Sequence, residues 1–263
     1  MLLKDKRIER RILDSLGLLP GDLVLEIGAG PGNMTELLAA RAGSLVAVEL
    51  DRKFAAALRL KFAGNPKVEI REGNILDVPI SAVASAAGRE KLKVYGNLPY
   101  YITTPCLMHL FHHCDSIEEI VVMVQEEVAK RIVAQPKSKR ASTDYGLLSL
   151  TCQYYTRPEL LFSVGPGSFS PPPQVRSAVV RMRVAPLRKA LDISAGEETA
   201  FWSFVRAAFS QKRKMLVNNW KGLYEAERLL KAMERAGVDP QVRAEALSLQ
   251  EFAALYHALR HRK

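Results

Sequence analysis

The sequence has few cysteines and no long apolar run. Its three cysteines, Cys106, Cys114 and Cys152, are an odd number without metal-like spacing, which argues against a disulfide framework or a zinc ribbon and predicts reduced, buried thiols. The longest aliphatic run, IVVMV at 120–124, is far shorter than the roughly 20 residues that span a bilayer. No signal-peptide pattern opens the chain. We therefore expect a cytoplasmic protein that does not enter a membrane.

Acidic residues are also in deficit, with 28 Asp and Glu against 38 Lys and Arg, for a net charge of +10. Such a charge is typical of proteins that bind polyanions, nucleic acid above all, although a basic protein without such a partner has the same composition. With 263 residues, 48% of them hydrophobic, the chain is long enough for one large domain or a medium domain with a small appendage.

Five short apolar runs alternate with helical patterns in the first half of the chain. They are LVLEIG at 23–28, SLVAVEL at 44–50, KVEIREG at 67–73, KLKVYG at 91–96 and EIVVMVQ at 119–125. Alternating strands and helices predict an α/β fold with a mostly parallel sheet that helices cover on both faces. Two later runs, ELLFSVGP and VRSAVVRMRV, are predicted as further strands that pair at an antiparallel edge.

Beyond residue 187 the pattern contains helices alone, so we predict a first domain at 1–187 and a helical domain at 188–263. The last helix is marked by a capping box, in which Ser248 precedes Glu251 by three residues. Another helix is predicted around Phe201 to Trp220, with Lys212, Arg213 and Lys214 on it.

The first predicted strand runs into a glycine turn, LEIGAGPGNMTELL. Glycines here let the backbone approach a ligand closely, but the pattern alone also fits a dinucleotide site or a turn that binds nothing. Glu26, inside the strand, suits an ammonium and would repel a pyrophosphate. Glu49, at the end of the second strand, is placed to accept the hydroxyls of a ribose. Together they indicate S-adenosyl-L-methionine.

Asn74 follows the third strand, where its carboxamide would contact the adenine of that cofactor; a plain turn residue is the alternative. The predicted cofactor-binding residues are Glu26, Gly28, Ala29, Gly30, Gly32, Glu49, Leu50, Asn74, Ile75 and Asn97.

The fourth strand ends in NLPY, residues 97–100, beside the expected position of the transferable methyl group. An adenine amino group is a poor nucleophile because its lone pair is delocalised into the ring. The Asn97 side-chain oxygen and the carbonyl of Leu98 or Pro99 would accept its hydrogens and localise that pair, while Tyr100 would stack on the base. No general base is needed, since the ammonium that forms is acidic. A proline turn without a ligand is the alternative.

The sequence resembles the ribosomal RNA adenine N6-dimethyltransferase family, and most of all its bacterial kasugamycin-resistance type. The matching stretches, spread over nearly the whole chain, are EIGAGPGNMTELL, VAVELD, GNLPYYITTP, MVQEEVAKRIVA, FSPPPQVRSAVV, AFSQKRKML and RAEALSLQEF. The resemblance implies a Rossmann-like class I methyltransferase with a seven-stranded, mostly parallel sheet and a small all-helical C-terminal domain. It implies dimethylation of two adjacent adenosines in the 3′-terminal stem-loop of small-subunit rRNA, within a pre-ribosomal particle. It also implies that Phe169 sandwiches the target base, with a core aromatic as the alternative.

The sequence departs from the family pattern in places. Relatives begin with a basic segment containing Gly-Gln and Phe-Leu before an Asp, whereas LLKD at 2–5 alone corresponds here, which predicts weakened binding or activity. Arg176 and Asn74 stand where relatives often carry acidic residues. A macrolide-resistance-type enzyme acting on large-subunit rRNA, a non-catalytic assembly factor and a nicotinamide oxidoreductase stay as alternatives; the RAEALSLQEF tail argues against the first.

Several cations are predicted to contact RNA phosphates, with a solvated charged face as the alternative. They are Lys137, Lys139, Arg140, Arg176, Lys212, Arg213 and Lys214. The HLFHHC run offers His109, His113 and Cys114 at a spacing that could bind a metal, but an amphipathic helix without an acidic second shell is favoured, so no metal is expected. We expect a monomer.

Overall fold

Nine strands and eleven α-helices are present in the described part of the chain, residues 2–136, 144–211 and 214–260 of a computed structural model. The strands are β1 Leu2–Leu3, β2 Leu23–Ile27, β3 Ser44–Glu49, β4 Val68–Glu72, β5 Leu92–Asn97, β6 Ile117–Gln125, β7 Thr156–Val164, β8 Phe169–Ser170 and β9 Ser177–Val184. The helices are α1 Lys6–Ser15, α2 Asn33–Arg41, α3 Arg52–Lys61, α4 Ile80–Ala86, α5 Thr103–His112, α6 Glu126–Val133, α7 Leu147–Tyr155, α8 Glu198–Ala208, α9 Leu216–Asn219, α10 Ala226–Arg235 and α11 Leu249–Arg260.

The chain divides into two compact units: Met1–Ala129 with Arg157–Val184, and Lys130–Thr156 with Ala185–Lys263. Within the described ranges, no helix is long and apolar enough to cross a membrane.

The first unit is built on a seven-stranded sheet in the order β4-β3-β2-β5-β6-β9-β7. The five strands from β4 to β6 are parallel to their neighbours, and β9 runs antiparallel to β6. The predicted fold class, the five early strands and the two later ones are therefore confirmed. The chain builds outward from β2 to β4 and then returns to β5 on the other side of β2, so the order reverses between β2 and β5, where α/β sheets bind ligands.

The strands form where the sequence is apolar on both faces. All five residues of β2 are buried, as are the last five of β3, because helices cover both sides of a parallel sheet. The helices that follow begin at side-chain caps: Asp51 accepts from the amides of Lys53 and Phe54 at the start of α3, and Asp5 accepts from the amide of Arg7 at the start of α1. These caps set where each helix leaves the edge of the sheet.

The core of the first unit joins α1, α2 and the sheet. Ile12, Leu16 and Leu38 pack in one cluster with Val24 and Tyr95 of the central strands. The short strand β1 pairs antiparallel with β8, with Leu3 opposite Phe169, and both side chains join this cluster. The N-terminal residues are therefore held against the sheet beside the carboxyl ends of β2 and β5.

The second unit is helical and has an aromatic core. Tyr154 of α7 stacks on Phe201 of α8, with ring centroids 6.0 Å apart, and Phe204 stacks on Trp220 at 4.3 Å. The predicted capping box of α11 is confirmed: the amide of Ser248 donates to Glu251 at 2.7 Å, and the amide of Glu251 donates to Ser248 Oγ at 3.2 Å. The three cysteines are buried and form no disulfide, as the sequence predicts.

The described residues between 130 and 156 fold with the second unit, whereas the predicted division at residue 187 counts them with the first. The reason is packing across a long sequence separation. Besides the stacking of Tyr154 on Phe201, the hydroxyl of Tyr145 donates to the carbonyl of Leu247 at 2.8 Å.

The predicted helix from Phe201 to Trp220 is wrong. α8 ends at Ala208, and Met215 has extended backbone angles before α9 begins. The amide of Leu216 donates to the carbonyl of Val242 at 2.8 Å, and the side-chain amide of Asn219 donates to the carbonyl of Ala208. These two bonds take the place of helical backbone hydrogen bonds, because they satisfy the carbonyl of Ala208 before the break and the amide of Leu216 after it.

Candidate active site

The glycine turn between β2 and α2 is tied to the end of β3 through Glu49. The amide of Gly28 donates to the carbonyl of Val48 at 2.8 Å. The two oxygens of the Glu49 carboxylate accept from the amides of Gly30 and Asp51, each at 2.8 Å. The carboxylate therefore bridges two strand ends, and each of its oxygens keeps a lone pair for a ligand hydroxyl.

Gly32 has a packing role in this turn. Its φ of +83° is a conformation that glycine favours, and a Cβ there would lie 2.6 Å from Cδ2 of Leu58. Gly32 lines neither of the two cavities described next, unlike Gly28, Ala29 and Gly30. Of the predicted cofactor residues, Gly32 is thus the one that acts through helix packing.

Two cavities meet at the carboxyl ends of the strands and share Gly28, Glu49, Asp51 and Pro99. The first, here called the acidic cavity, measures about 270 Å³ and its polar lining comprises Glu9, Glu26, Asn33, Glu49, Asp51, Tyr95 and Asn97. The second, here called the apolar cavity, measures about 450 Å³ and is also lined by Ile27, Val48, Leu50, Gly73, Asn74, Ile75, Tyr101 and Ile102. Together they have room for a nucleoside joined to an amino acid.

Glu26 is the most deeply buried polar group of the acidic cavity. Its side chain is 1% exposed, and Oε2 has no hydrogen-bond partner among the described residues. Burial raises the pKa of the Glu26 carboxyl to about 7; the Thr35 hydroxyl opposes the rise, and the charge of Glu49 adds to it. Burial and the charges of Glu26 and Glu9 also raise the pKa of the Tyr95 hydroxyl. A buried carboxylate with one oxygen that lacks a hydrogen-bond partner calls for a cation, which the ammonium and sulfonium groups of S-adenosyl-L-methionine would supply.

At the end of β5, NLPY presents a half-buried Asn97 at the acidic cavity. The amide of Leu98 donates to the carbonyl of Met123 at 3.0 Å, which continues the pairing with β6. The carbonyl of Pro99 already accepts from the amide of Ile102 at 3.1 Å and from the hydroxyl of Thr103 at 3.2 Å. Of the two carbonyls that the sequence left open as acceptors, that of Pro99 is therefore the more occupied, although Pro99 lines both cavities and Leu98 lines neither.

The two tyrosines of the motif differ in exposure. Tyr100 is half-buried, and its hydroxyl is buried without a hydrogen-bond partner among the described residues. Tyr101 is 79% exposed and lines the apolar cavity. From the sequence, Tyr100 was predicted as a stacking surface and Tyr101 was given no role. In the structure, Tyr101 is the more exposed of the two rings.

Phe169 does not line either cavity. The ring is 1% exposed and packs in the core cluster with Leu3, because β8 is paired with β1. In the described geometry it is a core aromatic, and a stacking role would require the ring to turn out of this cluster. Asn74 does line the apolar cavity, where its Oδ1 accepts from the amide of Leu76 at 3.1 Å and so fixes the carboxamide.

Of the predicted RNA contacts, Arg176 and Lys214 lie in the described part of the chain, and both are exposed. Arg176 Nε donates to Glu126 at 2.9 Å, which partly neutralises its charge. The other predicted cations, Lys137, Lys139, Arg140, Lys212 and Arg213, lie outside the described residues.

The His109 and His113 pair is engaged in local contacts. His109 Nε2 lies 2.9 Å from the carbonyl of Val78, and the two rings are edge to face at 5.0 Å. Within the ranges that the structure describes, no group of three or more His, Cys, Asp or Glu side chains is arranged to hold a metal ion.

Nine residues of the acidic cavity were missed by sequence reasoning: Leu2, Leu3, Glu9, Pro31, Asn33, Met34, Asp51, Phe54 and Tyr95. A signal for Glu9 exists, since it lies three, four and seven residues before Ile12, Leu13 and Leu16, on the apolar face of α1. A charged residue in that phase is unusual. Pro31, Asn33, Met34 and Asp51 lie in the glycine turn, at the start of α2 or just after β3, whereas Leu2, Leu3, Phe54 and Tyr95 carry no local signal.

The family model for ribosomal RNA adenine dimethylases matches residues 1–261. The chain belongs to this family. Among curated relatives of the family, the ribosomal RNA small subunit methyltransferase A of Acidobacterium capsulatum is 47% identical over 254 residues, covering 96% of this chain and 87% of that protein. The protein of the same name from Koribacter versatilis is 44% identical, covering 95% and 89%.

Solved structures agree with the family's fold. A dimethyladenosine transferase from Plasmodium falciparum has a TM-score of 0.81 at 22% identity, covering 98% of this chain and 96% of that one. The 23S rRNA methyltransferase ErmE has a TM-score of 0.73 at 25% identity, covering 99% and 100%.

Proposed function

We propose that the protein dimethylates the N6 amino groups of two adjacent adenosines in the 3′-terminal stem-loop of small-subunit rRNA, with S-adenosyl-L-methionine as methyl donor. The support is the family membership together with near full-length relatives named as small subunit methyltransferases. We infer a monomer that acts in the cytoplasm on a small-subunit precursor, as the sequence predicts.

The donor would lie across both cavities. We assign its ribose hydroxyls to Glu49, whose two oxygens are already fixed by the amides of Gly30 and Asp51. Its adenine would lie in the apolar cavity against Ile75, with Asn74 at the edge. Its ammonium would pair with Glu26 in the acidic cavity, because Oε2 of that buried carboxylate has no hydrogen-bond partner among the described residues.

The chemistry at the target base rests on two acceptors at the end of β5. When bound, S-adenosyl-L-methionine supplies an electrophilic methyl group. Asn97 Oδ1 and the Leu98 carbonyl would accept the hydrogens of the adenine amino group, which concentrates the lone pair on N6 and aims it. The proton released after transfer passes to water, so the residues contribute alignment and electrostatics.

Binding of the RNA is assigned to the basic residues and to the aromatic rings near the cavity mouth. The exposed Lys214 and Arg176, with the predicted cations outside the described residues, would contact phosphates and set orientation. An unstacked adenosine would enter beside Tyr100, consistent with enzymes that act on a base taken out of its stack.

The decisive experiment measures transfer of labelled methyl groups from S-adenosyl-L-methionine to immature small subunits, to naked rRNA and to large subunits. We expect N6-dimethyladenosine on the small-subunit substrate. Asn97→Ala should lower kcat about 100-fold or more while donor binding is retained. Asn65→Ala is the matched control, since Asn65 caps the turn before β4 at the opposite edge of the sheet.

The alternatives are outcomes of the same experiment. Methylation confined to large-subunit rRNA would support the macrolide-resistance type. Donor binding without methyl transfer to any rRNA would support a non-catalytic assembly factor.

A further inference from the structure

Glu9 is a charged residue on a buried helix face. It is 6% exposed on α1, in phase with Ile12, Leu13 and Leu16, and its side chain lines the acidic cavity. Glutamate is rarely buried to this extent unless it is paired, because its charge is costly to desolvate. Its position at the cavity wall therefore needs a ligand-based explanation.

A second observation points to a cationic ligand in the same cavity. Oε2 of Glu26 is buried and has no hydrogen-bond partner among the described residues, and that side chain is 1% exposed. By contrast, Glu49 and Asp51 accept from backbone amides at the glycine turn and at the start of α3. Glu9 and Glu26 are thus the two carboxylates of the acidic cavity that accept no hydrogen bond from the backbone amides of the glycine turn or of the α3 cap.

The cavity also stands out from the rest of the protein in charge. The chain carries a net charge of +10, yet none of the described residues that line this cavity is Lys, Arg or His. A negative potential confined to one concave site favours a positively charged occupant over a neutral one of the same shape.

We propose that Glu9 makes the cavity select the methyl donor over its demethylated product, S-adenosyl-L-homocysteine, whereas Glu26 pairs with the ammonium that both ligands carry. This inference rests on the proposed function. The donor carries a sulfonium and the product a neutral thioether. During transfer the carbon–sulfur bond breaks, its electron pair stays on sulfur, the carbon–nitrogen bond forms, and N6 loses a proton to water. Positive charge therefore leaves the cavity with the methyl group, and the product is held less tightly.

The size of the effect follows from the interaction of unit charges several ångströms apart. At an effective dielectric constant of about 20, removing one carboxylate corresponds to about a tenfold or larger change in affinity for a cation. The product keeps the ammonium but lacks the sulfonium charge, so its affinity should change much less. Glu9 is in this sense a specificity-determining residue that acts through charge.

The test is calorimetric titration of the full-length protein with S-adenosyl-L-methionine, S-adenosyl-L-homocysteine and sinefungin, whose amine carries a positive charge near the sulfonium position. Glu9→Gln should weaken binding of the donor and of sinefungin about tenfold, and binding of the product less than twofold. Glu9→Asp should restore most of the discrimination. Asp14→Asn, which removes an exposed carboxylate of α1 that pairs with Arg41, is the matched control and should change neither.

The inference is overturned if Glu9→Gln leaves the ratio of donor affinity to product affinity unchanged. An equal loss of both affinities would indicate a structural role, and no loss of either would indicate that the Glu9 charge has no effect. Melting curves of each variant establish that it is folded. If the unaltered protein binds donor and methylates rRNA while the ratio stays constant in Glu9→Gln, the proposed function stands and this inference fails. If the unaltered protein does not bind the donor, both fail.

Discussion

Replacing Glu26 with Gln should stabilise the ligand-free protein, and the gain should grow as the pH rises. The pKa of Glu26 is raised from its ordinary value of 4.5 to about 7 by burial, so the folded state binds the proton more tightly than the unfolded chain does. The favourable contribution of the protonated carboxyl is complete below pH 4.5 and is lost as the pH rises through 7. Gln has nearly the same shape and no charge to desolvate.

The magnitude follows from proton linkage. With pKa values of 4.5 and about 7, Glu26 costs the folded state about 1 kcal/mol at pH 5 and about 3 kcal/mol at pH 8. The difference in stability between Glu26→Gln and the unaltered protein should therefore increase by about 2.5 kcal/mol between these two pH values. Any constant penalty from an unsatisfied Gln amide cancels in this difference, as do the titrating groups that do not interact with Glu26.

Urea denaturation at several pH values measures this difference. Both tryptophans, Trp202 and Trp220, lie in the second unit, so unfolding of the first unit is followed by circular dichroism and by hydrogen exchange of the β2 amides. Glu36→Gln removes an exposed carboxylate from α2 and serves as the control. A difference that stays constant between pH 5 and pH 8, or that shrinks, would refute the claim that Glu26 is a desolvated acid. The same substitution should weaken donor binding, because the buried charge is retained for the ligand.

Three further predictions concern packing, stacking and RNA binding. Gly32→Ala should destabilise the first unit by roughly 1–3 kcal/mol in urea denaturation, because its Cβ would clash with Leu58, whereas Gly64→Ala, with open space around it, should have little effect. Tyr101→Ala should weaken donor binding about tenfold in calorimetry if the exposed ring covers the cofactor adenine; an effect on methylation rate alone would contradict this. Lys214→Glu should weaken binding to small subunits and lower the salt dependence of the binding constant, unlike Lys67→Glu just before β4; equal effects would show a non-specific charge response.

Much of this fold is visible in local sequence. Strands β2, β3, β5 and β6 are largely buried on both faces and are therefore apolar runs that were recognisable at their own positions. The edge strand β4 is partly exposed and was recognisable by its alternation of apolar and charged residues. The glycine turn directly follows β2, and Glu49 is the last residue of β3. Because the carboxyl ends of parallel strands meet at one edge of the sheet, both lie at that edge. Gly28, Glu49 and Asn74 were therefore predicted at the cavities where the structure has them.

Other features depend on contacts between residues far apart in the chain. The break after Ala208 arises because the amide of Leu216 pairs with Val242, and no local pattern announces a partner so distant. Residues 130–156 join the helical unit because Tyr154 meets Phe201. Helical periodicity cannot report such contacts, since it describes each segment alone.

The site likewise has features that the local sequence predicts and features that it does not. Residue types and their spacing along single strands and turns indicated the cofactor and the NLPY acceptors, because the residues involved lie within short segments. The pairing of β1 with β8 buries Phe169, two hydrogen bonds occupy the Pro99 carbonyl, and the packing of α1 brings Glu9 to the wall beside Tyr95. These properties depend on which surfaces meet in three dimensions, and burial and unpaired charge exist only once the chain has folded.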